Sequence, residues 1–106
     1  MSGSLGDLGS ILRQAQAMQA EMKKAKEELE GMRVEGRAGG EAVKVTVGGD
    51  GTVHSISISA EAQAEERGLL EDLVLAAVRD GVGRANKLRE DRLREVTGGL
   101  DLPGMF

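Results

Sequence analysis

At 106 residues, with no cysteine, one aromatic side chain (Phe106) and a formal charge of −4, the chain has the size of one domain and cannot form disulfides, thiolate metal sites or thiol nucleophiles. Its other large apolar residues are aliphatic, so the core lacks the side chains that bury the most area each, and part of the apolar surface is expected to be covered by a second copy. So acidic a balance counts against simple electrostatic DNA binding, and any affinity for DNA has to come from a local basic patch.

Met1 to Leu12 has neither the basic start nor the apolar run of a signal peptide. No stretch approaches the roughly 18 apolar residues of a membrane span. A cytoplasmic protein is expected. The first predicted element is a helix. Leu8, Ile11, Ala15, Met18, Met22, Ala25, Leu29 and Met32 recur at alternating spacings of three and four, which is a heptad seam. Roughly 25 residues make a rod near 37 Å long. A small core cannot cover such a rod, so part of the seam must face another helix. Ser4 or Asp7 is the expected N-cap.

From Val34 to Ile58 the period changes to two. Val43, Val45 and Val47 alternate with Lys44 and Thr46, and Ile56 and Ile58 alternate with Ser55 and Ser57. Gly48-Gly49-Asp50-Gly51 reads as a hairpin turn, and Gly36, Gly39 and Gly40 point to a turn after a first strand at Met32 to Arg37. The simplest topology is a three-stranded antiparallel meander. Ser59 to Arg67 reads as a short acidic helix or turn, broken at Gly68. A second long helix is predicted from about Leu69 to Thr97, with Gly81 and Gly83 inside it marking a close approach or a bend. Gly98-Gly99 is the stop signal. The fold class is therefore α+β, α-β-β-β-α, as one domain over residues 1–106 with flexible tails at 1–7 and 98–106.

The residues of a catalytic site are missing. His54 is the only histidine, and it reads as a partly buried structural residue near the hairpin. Asp50 lacks the flanking acids of a calcium loop. Gly81 to Asn86 lacks the third glycine of a dinucleotide fingerprint, and Gly48 to Gly51 lacks the Lys-Ser/Thr of a phosphate loop. Glu65, Glu66, Glu71 and Asp72 suit a helix start. No enzyme activity, cofactor, metal or small-molecule substrate is expected.

The basic residues divide unevenly. Lys23, Lys24 and Lys26 each have a glutamate four residues on, which makes a self-paired face. Arg13 has only Gly9, Gln16 and Ala17 beside it. The second helix has a basic end with Arg84, Lys87, Arg89, Arg92 and Arg94. There Asp80, Asp91, Glu90 and Glu95 can pair with Arg84, Lys87, Arg94 and Arg92, and Arg89 has no acid in reach. On charge alone a solvated helix end and a phosphate-contacting surface are equally good readings. If the two long helices pack antiparallel, Arg13 shares a tip with Arg89, Arg92 and Arg94. A two-fold dimer would then carry two basic arms able to hold duplex DNA by its phosphates with little base reading. The candidate nucleic-acid-binding residues are Arg13, Arg84, Lys87, Arg89, Arg92 and Arg94. The lack of aromatics argues against single-strand binding.

Several segments together resemble one known family. They are Gln14-Ala15-Gln16-Ala17-Met18-Gln19, Val43-Lys44-Val45-Thr46-Val47 with Gly49, Leu70-Glu71-Asp72-Leu73-Val74-Leu75-Ala76-Ala77, and Val96-Thr97-Gly98-Gly99 with Leu102-Pro103-Gly104. In this order they resemble the YbaB/EbfC nucleoid-associated proteins. Ala60 departs from the proline that relatives often carry there. The resemblance implies a tweezer-like homodimer that binds DNA and alters its conformation in the nucleoid. The alternative from the residues is a helical-arm clamp that grips protein, with Met18, Met22, Met32 and Met105 as apolar contacts.

Overall fold

The computed structural model describes residues 2–98, with side chains described from Asp7 onward. The chain runs α1 (Ser2–Gly31), β1 (Arg33–Ala38), β2 (Val43–Gly48), β3 (Val53–Ile58), α2 (Ala60–Gln63) and α3 (Arg67–Thr97). The strands form one antiparallel sheet in the order β1-β2-β3. The expected α-β-β-β-α order is therefore what forms. Of the expected tails, residues 99–106 lie outside the described residues.

The valines of β2 make the centre of the core. Val43, Val45 and Val47 have no exposed surface, and Ala62, Ala77 and Ala85 close over them. Small side chains are needed here because α3 lies very close to the sheet. A Cβ on Gly36 of β1 would overlap the Ala77 carbonyl oxygen and the Gly81 nitrogen. One on Gly81 would stand 2.7 Å from Val47 Cγ2. The close approach expected at Gly81 is thus to a strand and not to another helix. Gly83 meets nothing within 4 Å.

The hairpin between β2 and β3 closes as its glycines suggest. Gly51 takes φ +93°, and the Gly48 amide donates to Thr52 O at 2.7 Å. The Asp50 carboxylate accepts from the Thr52 amide at 3.1 Å and from its hydroxyl at 3.0 Å. Those bonds hold the Asp50 carboxyl below its usual range, with the Thr52 amide the largest cause. The Gly49 amide donates to Met32 O at 3.1 Å, so the hairpin is tied to the end of α1.

Three expectations need correction. The first helix is already formed at Ser2, so Ser4 and Asp7 lie inside it and neither is its cap. Glycine costs about 1 kcal/mol in a helix, and Gly3 and Gly6 do not end this one. Gly68 does not separate two helices but sits in the first turn of α3, where Glu66 caps it through a 2.6 Å bond to the Gly68 amide. His54 is exposed. It falls at a register shift, since Thr46 pairs with Ser55 and Val47 with Val53, leaving His54 as the extra residue of a bulge. The apolar face of β3 is uncovered in the single chain, because α3 packs on β1 and β2 and hardly reaches β3.

The molecule is elongated, 76 × 21 × 16 Å. Beyond the sheet, α1 and the second half of α3 continue as an arm. Met22, Ala25, Leu29 and Leu93 are buried between them, with Leu88 and Val96 packed alongside. Met22, Ala25 and Leu29 belong to the later half of the predicted seam. Its earlier members, Leu8 and Ile11, are more than half exposed.

Candidate nucleic-acid interface

The arm carries the candidate basic residues, and ion pairs sort them into two groups. Arg84 pairs with Asp80 at 3.2 Å, Lys87 with Asp91 at 3.6 Å, and Arg94 with Asp91 at 3.4 Å. The partner of Arg94 is thus Asp91 and not Glu90. All three bases keep more than half of their side-chain surface exposed. Such surface pairs are weak, and each base can exchange its carboxylate for a phosphate.

Arg92 is different. Its guanidinium reaches across to Glu28 of α1, at 2.9 Å from Nη2 and 3.1 Å from Nε, and it also touches Glu95 at 3.4 Å. The Glu28 bond is the main reason its pKa is raised above the usual arginine value. Only about a quarter of the side chain is exposed. Arg92 is the polar clasp between the two helices of the arm.

Arg89 forms no ion pair among the described residues. It donates to Asn86 Oδ1 at 2.8 Å. With Lys26, Leu29, Glu30 and Asp50 it lines a recess of about 200 Å³ beside the hairpin. Lys26 also belongs to a shallow groove along α1 with Gln19, Met22, Lys23, Glu27 and Glu30. Lys26 and Glu28 are two positions apart, about 200° around a helix. Arg89 and Arg92 therefore flank the arm on opposite sides.

The predicted shared tip does not form. Arg92 is level with Glu28, and Arg13 is 15 positions further along α1, a distance of about 22 Å. Arg13 also lies about 200° around α1 from Ile11 of the seam, so it faces away from the α3 side. It stands beside Gly9 and forms no ion pair among the described residues.

The self-paired face expected of the α1 lysines does not form. None of Lys23, Lys24 and Lys26 has a carboxylate within 4 Å among the described residues, and Glu28 is taken by Arg92 instead. The order of the residues carried a signal for this. Each lysine precedes its glutamate, and that is the weaker orientation of an i,i+4 pair.

Among the described residues no cluster of His, Cys, Asp or Glu could hold a metal ion, and no helix is long and apolar enough to cross a membrane. The architecture is shared with a solved structure. An uncharacterised protein from Helicobacter pylori, HP0035, superposes with a TM-score of 0.72 at 21% identity, over 86% of this chain and 94% of that one. That likeness establishes the fold, an α-β-β-β-α unit with a helical arm. The profile of the YbaB/EbfC DNA-binding family matches residues 5–100. The chain belongs to that DNA-binding family.

Proposed function

We propose that the protein is a nucleoid-associated homodimer in the cytoplasm that holds duplex DNA by its phosphates and changes its conformation, with little sequence preference. Family membership supports DNA as the partner. The observation that carries the mode of binding is a group of arm cations without ion pairs among the described residues, Lys23 and Lys26 in one groove of α1 and Arg89 on α3 beside Lys26. Arg84, Lys87 and Arg94 add exposed cations that can change partner, and Arg13 adds one further out. Contacts of this kind give affinity through counterion release and read few bases. Two arms joined at their bases would hold a duplex at two places, and bending would follow from the angle between them.

The dimer contact is proposed at β3. This strand is an open edge with no charged residue in Val53-His54-Ser55-Ile56-Ser57-Ile58. Natural edges left in water are guarded by charge, proline or a covering element. The opposite edge, β1, is guarded in this way, because Asp80 of α3 accepts a hydrogen bond from the Arg37 amide at 3.0 Å. Beside β3, an apolar groove of about 420 Å³ is lined by Ile58, Leu70, Glu71, Val74, Leu75 and Val78. A second copy would cover both. Ile56→Glu is expected to give monomers in light-scattering measurements, and a persistent dimer would exclude this contact.

Charge reversal tests the DNA surface. Lys23→Glu with Lys26→Glu and Arg89→Glu is expected to weaken duplex binding at least tenfold while the dimer persists. Unchanged binding would rule out this flank. Arg92→Glu is a poor probe, since it sets a third carboxylate beside Glu28 and Glu95. One observation favours the second reading, a clamp for protein: Leu8, Ile11 and Leu12 are exposed on the outer part of α1. Binding of an unfolded polypeptide with no binding of duplex DNA would support that reading.

A further inference from the structure

The recess beside the hairpin brings opposite charges together without pairing them. Lys26 and Glu30 enter it from α1, Arg89 from α3 and Asp50 from the turn between β2 and β3. Neither cation forms an ion pair among the described residues, and Arg89 donates to Asn86 instead. Its Nη1 lies over Gly51, 3.6 Å from where a Cβ would stand. The two acids differ in their freedom. Glu30 is an exposed residue of α1 whose carboxylate has no hydrogen bond among the described residues, so it can turn out into water. Asp50 is held. Its Oδ1 accepts from the Thr52 amide and its Oδ2 from the Thr52 hydroxyl. Oδ1 also stands 2.6 Å from the Cβ position of Gly48, so the carboxylate lies back over the turn. Nε2 of His54 lies over the same glycine, but forms no ion pair with Asp50 among the described residues.

We propose that Asp50 is a fixed counter-charge that competes with a DNA phosphate for Lys26 and Arg89, so that the arm releases duplex DNA faster than its cations alone would. The inference rests on the phosphate-binding reading of the arm and assigns a role to a residue outside its set of cations. A phosphate seated between Lys26 and Arg89 shares the recess with Asp50, well inside the screening length of roughly 8 Å at physiological salt. Glu30 can leave as the phosphate arrives. Asp50 would have to give up both Thr52 bonds, and those bonds also favour its charged form. The turn thus fixes one unit of repulsion at a place otherwise suited to an anion. For a protein that grips phosphates with little base reading, this shortens its stay at any one position on the duplex.

Stopped-flow anisotropy of the full-length protein with a short duplex separates the two rates. Asp50→Asn keeps an acceptor for the Thr52 amide and a residue type suited to the turn, and circular dichroism checks that the fold is kept. This variant is expected to slow dissociation about threefold or more, the size of one exposed charge interaction, with a smaller change in association. A contact inside the interface acts on release, whereas distant charge acts on encounter. Glu30→Gln is expected to slow release less, because Glu30 is free to move. Glu61→Gln makes the same change of net charge on α2, beyond the far end of β3, and is expected to leave dissociation unchanged. Unchanged or faster release from Asp50→Asn would overturn the counter-charge. Equal slowing by Glu61→Gln would reduce the effect to net charge, and equal slowing by Glu30→Gln would remove the role of the fixed position. Either result overturns the proposal. Absence of binding by the unaltered protein at low salt would overturn the phosphate-binding reading itself, and this inference with it.

Discussion

In the base, α3 meets the sheet through Gly36 and Gly81, where even a methyl group would overlap its neighbours. In the arm, α3 meets α1 through one row of side chains and the Arg92–Glu28 ion pair. The first contact has no room to adjust, since backbone faces backbone. The second is made of side chains that can re-pack, and it ends before α1 does. A rigid base carrying an adjustable arm is what a protein needs if it is to close on a long, regular partner.

The largest expected effect breaks the base. Gly36→Val should cost at least about 3 kcal/mol, the upper end for overpacking, because the clash is with backbone. Chemical denaturation would measure it, and a near-native midpoint would show that the helix can retreat from the sheet. Next comes the arm. Leu93→Ala removes a side chain that is 1% exposed and should cost about 2–3 kcal/mol. Hydrogen exchange should show the loss in α1 and the end of α3, with the strands of the base still protected. Loss of protection throughout would mean that arm and base unfold as one unit.

Smaller effects sharpen the same contrast. Gly83→Ala should stabilise by about 1 kcal/mol, since Gly83 lies within a helix and faces open space. A matching rise in the denaturation midpoint would separate Gly83 from Gly81, which is packed. The smallest effect concerns Asp80. Its carboxyl is held below the usual range by the Arg37 amide first and by Arg84 second. A lowered folded-state pKa stabilises the fold above the unfolded value of about 3.9, and that contribution is lost as pH falls through the folded value. Asp80→Asn should therefore flatten the fall in melting temperature below about pH 4. An unchanged acid limb would place that sensitivity at other carboxyls.

Much of the fold was legible because its signals are local. Alternation in Val43, Val45 and Val47, positive-φ glycines at the turns and a glycine stop at Gly98 need no knowledge of the rest of the chain. The exposure of Ile56 and Ile58 was not legible, because it depends on where α3 crosses the sheet. The candidate site was harder for the same reason. Arg92 finds its main partner 64 residues away at Glu28, beyond any helical spacing. That pair also sets the axial offset of the helices, and so it determines that Arg13 stands apart from the arginines of α3. Arg89 was legible as a cation without an acid on its own helix, whereas the recess it shares with Glu30 of α1 and Asp50 of the hairpin was not. The unpaired state of Lys23 and Lys26 was legible only in the order of the charges, since each precedes its glutamate.

The central claim is that local cations on the arm bind duplex phosphates despite the net charge of −4. The most direct test is fluorescence anisotropy of the full-length protein with a short duplex across a salt series. Three such cations per arm and two arms give roughly six phosphate contacts, and the logarithm of the binding constant should then fall against the logarithm of salt with a slope near −5. The triple charge reversal at Lys23, Lys26 and Arg89 should remove most of that slope. No binding at low salt, or binding that salt does not weaken, would contradict the account.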